Sequence, residues 1–232
     1  MHRFHLVLLS CLFLCVSCTS KKAQKLDGVY RLDKGDLTQL WMFVDGYSSL
    51  TTYASNTYQS TEGGPYTLAK GQLQIQLEYN NQDSSKVGQV KSLDPRFKGG
   101  QNFEDNQGNV WVKQPHLPQD LDGAWKISGR QKDGKFVPIN HSGGRKTLKL
   151  LKDGYFQWVA IDPDKKAFFG TGGGHYTFTN GTYTEELLFF SRDNARVGAK
   201  LNFKGELKDG EWHHSGESSK GDPIYEIWTK IN

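Results

Sequence analysis

Most of this 232-residue chain is written twice, and that constrains its fold more than any other feature. Leu26-Asp27-Gly28-Val29-Tyr30 reappears as Leu121-Asp122-Gly123-Ala124-Trp125, and Asp45-Gly46-Tyr47 as Asp153-Gly154-Tyr155. Gly63-Gly64-Pro65-Tyr66-Thr67 returns as Gly173-Gly174-His175-Tyr176-Thr177, and Asp83 with Val87-Gly88 as Asp193 with Val197-Gly198. Both copies close alike, on Val110-Trp111-Val112-Lys113 and Ile227-Trp228-Thr229-Lys230. Blocks recurring in one order, several at constant spacing, predict a tandem duplication. The units run 26–114 and 121–232, and residues 115–120, with Pro115 and Pro118, form a short stiff linker.

The local signal in each unit is strand. In the second, residues 147–151, 155–161, 175–179, 182–190, 200–205 and 224–231 are short runs rich in β-branched and aromatic residues. They are separated by Lys152-Asp153-Gly154, Asp162-Pro163-Asp164, Asn180-Gly181 and Lys208-Asp209-Gly210, which read as turns. Asn180-Gly181 suits a two-residue hairpin because both residues tolerate positive φ. No segment longer than about ten residues keeps a helical period. The expected fold is all-β, with two tandem small antiparallel barrels. Closure removes exposed edges, and the similar first and last strands of each unit are placed to pair.

The N-terminus reads as a secretory leader over 1–17: Arg3, then an apolar run from Leu6 to Val16 too short to span a bilayer. Leu14-Cys15-Val16-Ser17-Cys18 resembles a bacterial lipobox, which makes Cys18 the expected lipidated residue, with 18–25 as lipidated N-terminus and polar tether. That implies a periplasmic protein held at the outer membrane. All three cysteines fall in this region, so the repeats hold no disulfide. Lys+Arg 29 against Asp+Glu 25 leaves +4, spread without a basic stripe, and nucleic acid is not an expected partner.

Residues 121–231, with their Leu-Asp-Gly-x-Trp start, Gly-Gly-Gly-His-Tyr-Thr stretch, Thr182-Tyr183-Thr184-Glu185 and Trp212-His213-His214, resemble a lipocalin-like family of unknown function found in bacterial lipoproteins and secreted proteins. The resemblance implies a calycin-type barrel, often in proteins encoded near polysaccharide-degradation machinery. It supplies no agreed activity.

Strand alternation then selects candidate site residues. Tyr183, Glu185, Leu187 and Phe189 share one face, as do Trp212 and His214, Glu226 and Trp228, and Phe156 and Trp158. Pointed inward, these faces make an aromatic cavity with a few convergent polar groups, the usual composition of a ligand site. Trp158, Trp212, His175, Tyr176 and Glu226 are candidate ligand contacts, and Arg145 and Arg196 candidate anion partners. At the equivalent places the first unit carries Pro65, Leu73 and Ile75 for His175, Tyr183 and Glu185, which assigns the site to the second unit and leaves the first as scaffold or partner-binding module. Gly170 to Gly174 lacks the ending of a phosphate loop and reads as a turn or bulge. His141, His175 and His214 lack metal-motif spacing, and no cofactor is implied.

Three functions follow as expectations. The first is an envelope lipoprotein that binds an oligosaccharide or similar small polar ligand in the second barrel, in polysaccharide utilisation. The second is a cofactor-independent carbon-oxygen lyase or dehydratase acting on uronic-acid-containing oligosaccharides. It would use His214 or Glu185 as base, Tyr183 or Tyr176 as acid and Arg145 or Arg196 as enolate stabiliser. The third is an envelope assembly module.

Overall fold

The computed structural model describes residues 25–132, 134–139, 142–217 and 221–231. Cys18, the leader and most of the tether lie outside the described residues, as does His141. Among the described residues there is no α-helix; three 3-10 turns, Ser84–Lys86, Gly99–Gln101 and Asn194–Arg196, interrupt a structure built of strands.

The second unit contains β11 (Gly123–Lys132), β12 (Lys135–Pro138), β13 (Lys146–Lys152), β14 (Tyr155–Asp162), β15 (Ala167–Thr179), β16 (Thr182–Phe190), β17 (Lys200–Lys208), β18 (Glu211–Glu217) and β19 (Pro223–Lys230). Antiparallel neighbours follow chain order from β13 to β19, and β11 pairs with both β13 and β19, so eight strands close an up-and-down barrel. One edge of β11 follows β19 from Trp125 to Arg130, and the other edge is divided. Gly123 to Lys126 lie against β13, while Gly129 to Lys132 peel away as a hairpin with β12. The departure leaves a mouth between that hairpin and the start of β13.

The first unit contains β1 (Gly28–Lys34), β2 (Leu37–Val44), β3 (Tyr47–Ala54), β4 (Thr57–Ala69), β5 (Gln72–Gln76), β6 (Tyr79–Asn80), β7 (Val90–Leu93), β8 (Arg96–Phe97), β9 (Phe103–Glu104) and β10 (Val110–Lys113). Its first and last strands pair as expected, Tyr30 with Lys113 and Arg31 with Val112. The sheet nevertheless curls without closing, because β7 and β8 are its two ends. Between them stands Pro95, which has no amide hydrogen to give a ladder, and both strands are short. The all-β tandem architecture is thus one closed barrel and one curled half-barrel.

Two-residue turns recur with both φ values positive: Asp45-Gly46 (47° and 78°), Asp153-Gly154 (51° and 80°) and Asn180-Gly181 (50° and 74°). These are the primed hairpin turns whose twist matches that of the flanking strands. The glycine-rich segment is not a loop but the middle of β15, with a bulge opposite Gly173 and Gly174. Gly173 pairs with Phe189 and Gly174 with Leu187, so Leu188 is the extra residue. This overturns the inward placement of Phe189. Alternation shifts past the bulge, Phe190 joins the barrel interior, and Phe189 packs outside it.

Phe189 packs into a core shared by the two units. Val29, Leu40, Met42 and Tyr79 of the first unit meet Ala124, Leu148, Leu150 and Phe189 of the second, side chains at equivalent repeat positions. The interface is therefore pseudo-twofold, the geometry by which one surface buries a related copy of itself. At its centre Ser49 donates to Gln157 Oε1 (2.7 Å), and Gln157 Nε2 donates to Thr61 and Thr171 (3.2 and 3.0 Å). A buried glutamine with these partners leaves little polar desolvation uncompensated.

Candidate functional site

In β13, Leu148 and Leu150 face the shared core, which turns Lys149 into the barrel. Lys149 is 4% exposed and its Nζ donates to Glu185 Oε1 at 2.9 Å. The ammonium lies over the rings of Tyr183, Trp212 and Trp228 at 5.1, 5.1 and 5.3 Å. Tyr183 donates its hydroxyl to the same Glu185 oxygen at 2.8 Å. Burial, and then the charge of Glu185, push its phenol well above the usual range, so it remains a donor. Glu185 faces in and Glu186 faces out toward Lys200, at 3.2 Å.

On the facing strands, His214 Nδ1 lies 3.3 Å from Glu226 Oε2, and Trp228 Nε1 donates to the same oxygen at 3.2 Å. Burial and the nearby Lys149 charge lower the His214 pKa against the opposing pull of Glu226. A neutral imidazole whose Nδ1–H is given to Glu226 has its lone pair on Nε2. That nitrogen is buried without a hydrogen-bond partner among the described residues, and His214 lines a cavity of about 220 Å³.

The cavity wall continues through Trp158, Phe190, Leu201, Phe203 and Ile224. Gly172 leaves room for Trp158, since a Cβ there would lie 2.7 Å from its Nε1. Thr147, Ile224 and Glu226 also line a wider space of about 570 Å³ at the mouth, with Arg130 and Arg145. Arg145 stacks on Phe169 (4.5 Å to the ring centroid), and Arg192 lies over Trp158 (5.4 Å) while donating to Phe169 O (3.1 and 3.2 Å). None of these three arginines forms an ion pair with a carboxylate among the described residues. Lys146, beside them, is taken by Glu78 of the first unit at 2.7 Å.

The candidate residues thus separate into groups. Trp158, Glu185, His214 and Glu226 line the cavity and Arg145 its mouth, with Tyr183 and Trp212 behind Lys149. Three others are corrected. His175 is exposed, its ring against Tyr155 on the outer face, because one-residue alternation from inward Gly174 and Tyr176 leaves it no other side. Tyr176 is buried but belongs to the barrel floor, where its hydroxyl donates to Asp122. Arg196 sits in the turn between β16 and β17, 3.8 Å from Asp193, and lines neither space. Sequence reasoning misses Lys149, Arg130 and Arg192, although Lys149 occupies the place of Trp41 at the spacing that relates Asp45-Gly46-Tyr47 to Asp153-Gly154-Tyr155.

A pH dependence follows. The His214 pKa is lowered from 6.5 in the folded chain, so between that value and the lower folded one the unfolded chain binds more protons and stability rises with pH. The contribution is fully present above 6.5 and is lost as acid drives His214 toward protonation. Glu226, held low by His214, Lys149 and Trp228 against the cost of burial, adds a second loss below 4.5. Urea unfolding should give a midpoint that falls between about pH 7.5 and 5.5 more steeply for the wild type than for His214→Gln. Equal slopes would remove His214 from the linkage.

No protein-family model matches the chain, and no curated protein does. Among solved structures it is similar to a lipocalin-like protein from Bacteroides uniformis ATCC 8492, with 18% identity and a TM-score of 0.35 over 49% of this chain and 100% of that one. It is also similar to an uncharacterized protein from Bacteroides eggerthii DSM 20697, with 16% identity and a TM-score of 0.33 over 47% of this chain and 99% of that one. The lipocalin-like barrel of the second unit rests on its own strand pairing, eight antiparallel strands closed by β11 and β19.

Proposed function

We propose that the second barrel binds a small acidic saccharide, its carboxylate at the arginines of the mouth and its hydroxyls in the cavity. The observation that carries this reading is a buried His214 Nε2 with a lone pair and no hydrogen-bond partner among the described residues, beside arginines of the cavity and its mouth that have no carboxylate partner among those residues. A sugar hydroxyl can donate to that nitrogen and accept from the Lys149 ammonium. Guanidinium groups take a carboxylate in a bidentate manner. Trp158 and Phe190 supply apolar surface in the cavity wall.

Calorimetric titration with glucuronate and glucose tests it. Glucuronate should bind more tightly, and more weakly as salt is added. Arg145→Ala and Arg192→Ala should each lose about tenfold, the equivalent of one charge-assisted hydrogen bond. Binding of glucuronate that is insensitive to both substitutions would overturn the assignment of the mouth.

One observation favours a second reading. An imidazole oriented by a carboxylate with its other nitrogen facing a cavity is the arrangement of a general base. His214 would take the proton α to a uronate carboxylate, and the β-oxygen substituent would leave as water or alcohol with a proton from a general acid, forming a carbon-carbon double bond. The acid is the weak point. Tyr176 is committed to Asp122, and Tyr183 donates to Glu185 behind the cavity wall. Binding is therefore the leading function, and appearance of a near-ultraviolet chromophore with uronate oligosaccharides would reverse that order.

A further inference from the structure

The first unit was expected to carry no ligand site, because Leu73 and Ile75 replace Tyr183 and Glu185. Its interior is indeed apolar at those two positions. Strand register nevertheless superposes the rest of the two sites. Trp41 pairs with Leu50 as Lys149 pairs with Trp158, Ile75 with Lys91 as Glu185 with Leu201, and Phe103 with Trp111 as Trp212 with Trp228. A cavity of about 270 Å³ lies at this register in the first unit. Gln39, Trp41, Leu50, Lys91, Asp105 and Asn109 line it, where Thr147, Lys149, Trp158, Leu201, His214 and Glu226 line the cavity of the second.

One polar device is preserved with its parts exchanged. In the second unit the carboxylate of Glu226 accepts from the His214 imidazole and from the Trp228 indole. In the first, the carboxylate stands at the histidine's position. Asp105 accepts from Asn109 Nδ2 at 2.8 Å and from Trp111 Nε1 at 3.0 Å. The carboxylate is partly exposed and its other oxygen accepts the backbone N–H groups of Gln107 and Asn109, so the turn into the last strand holds the Trp111 indole at the cavity edge.

We infer that the first unit carries a second ligand site at this cavity, and that it takes an uncharged, hydroxyl-rich group such as a neutral sugar residue. The charges set the class. Asp105 presents a carboxylate, and Lys91 is committed to Glu62. Of the remaining polar lining, Gln39, Ser92, Asn106, Gln107 and Asn109 are neutral, which leaves Lys34 as the cation at the rim. Partial burial opposes ionisation of Asp105, but the hydrogen bonds from Asn109 and Trp111 prevail and lower its pKa, so at neutral pH the ionised carboxylate repels an anion and holds the Asn109 carboxamide and the Trp111 indole in the cavity wall. Where the second barrel gathers arginines, this wall is built of carboxamides, which pair with hydroxyls and offer an anion no countercharge.

Each site contains one tryptophan indole N–H bonded to a carboxylate, so the test can be read site by site. The full chain, labelled with nitrogen-15, is titrated separately with glucose, galactose, mannose and glucuronate. A neutral sugar should move the indole resonance of Trp111 and the carboxamide resonance of Asn109. Glucuronate should move Trp228 and leave Trp111 in place. Asn106→Ala with Gln107→Ala, both at exposed positions, should weaken the Trp111 response about tenfold and leave the Trp228 response unchanged. Asp105→Asn should do the same. If Trp228 responds and no neutral sugar moves Trp111, the second site is refuted while the reading of the barrel stands. If glucuronate moves Trp111 as far as Trp228, the neutral class is wrong, and silence at both indoles overturns both readings.

Discussion

Gly174→Ala is expected to destabilise the chain by about 3 to 5 kcal/mol, beyond what an ordinary strand substitution costs. A Cβ at this position would lie 1.9 Å from Glu186 O and 2.7 Å from Leu188 N. Both atoms are backbone, and both flank the bulge that carries Leu188 out of register. Neither can retreat without breaking the ladder between β15 and β16, so the strain cannot be relieved by rotating a side chain. The first unit repeats the constraint at Gly64, where a Cβ would lie 1.9 Å from Gln76 O. Gly64→Ala should therefore cost a similar amount, although its sheet is open. Gly143→Ala is the control. No atom of the described residues lies within 4 Å of a Cβ at Gly143, and it should change stability by less than about 0.5 kcal/mol. Urea unfolding midpoints decide the matter, and a Gly174→Ala midpoint indistinguishable from that of Gly143→Ala would show that the bulge tolerates a side chain.

The same bulge marks where the sequence stops being legible. Turn dipeptides and alternation locate the strands of the second unit because each is a local signal. The extra residue at Leu188 depends on which residue of β15 faces it, and no local pattern in Glu-Glu-Leu-Leu-Phe-Phe records that. Phe189 was consequently assigned to the wrong face. Lys149 was hidden for a different reason. Both faces of β13 are buried, one in the core between the units and one inside the barrel, so the lysine in Leu-Lys-Leu-Leu cannot escape to solvent as lysines usually do. The repeat held the missing information, since Trp41 at the matching position is plainly an interior residue. Arg130 and Arg192 belong to the departing end of β11 and the turn after β16, and only tertiary structure brings the first to the mouth and the second to the cavity. His175 and Tyr176 adjoin in sequence but not in the site, because neighbours on a strand point apart. The open first sheet turns on the single proline between β7 and β8, which the expectation of two closed barrels gave no weight.

Removing the charge of Glu185 alone is the second substitution expected to have a large effect, and the pattern of rescue around it is the more informative part. Glu185→Leu leaves the Lys149 ammonium buried against three aromatic rings with its carboxylate partner gone, and should cost about 3 to 5 kcal/mol. Lys149→Met, which strands the carboxylate instead, should cost about as much. Replacing both with apolar residues of similar size removes the uncompensated charge, and such exchanges are often neutral or stabilising by about 1 to 4 kcal/mol. One polar group would still be orphaned, because Tyr183 donates to Glu185 and would lose its acceptor at a cost of about 1 to 3 kcal/mol. Tyr183→Phe removes that cost as well. The triple variant Lys149→Met, Glu185→Leu, Tyr183→Phe converts the interior to the character of the first unit, where Trp41, Ile75 and Leu73 occupy these positions in a packed core. It should recover wild-type stability to within about 1 kcal/mol while no longer binding glucuronate, with the coupling among the three sites measured by a mutant cycle. Recovered stability with lost binding means that the charged cluster is kept for its ligand and not for the fold. A triple variant as unstable as either single one would make the ion pair structural, and a stable triple variant that still binds glucuronate would remove Lys149 and Glu185 from the site.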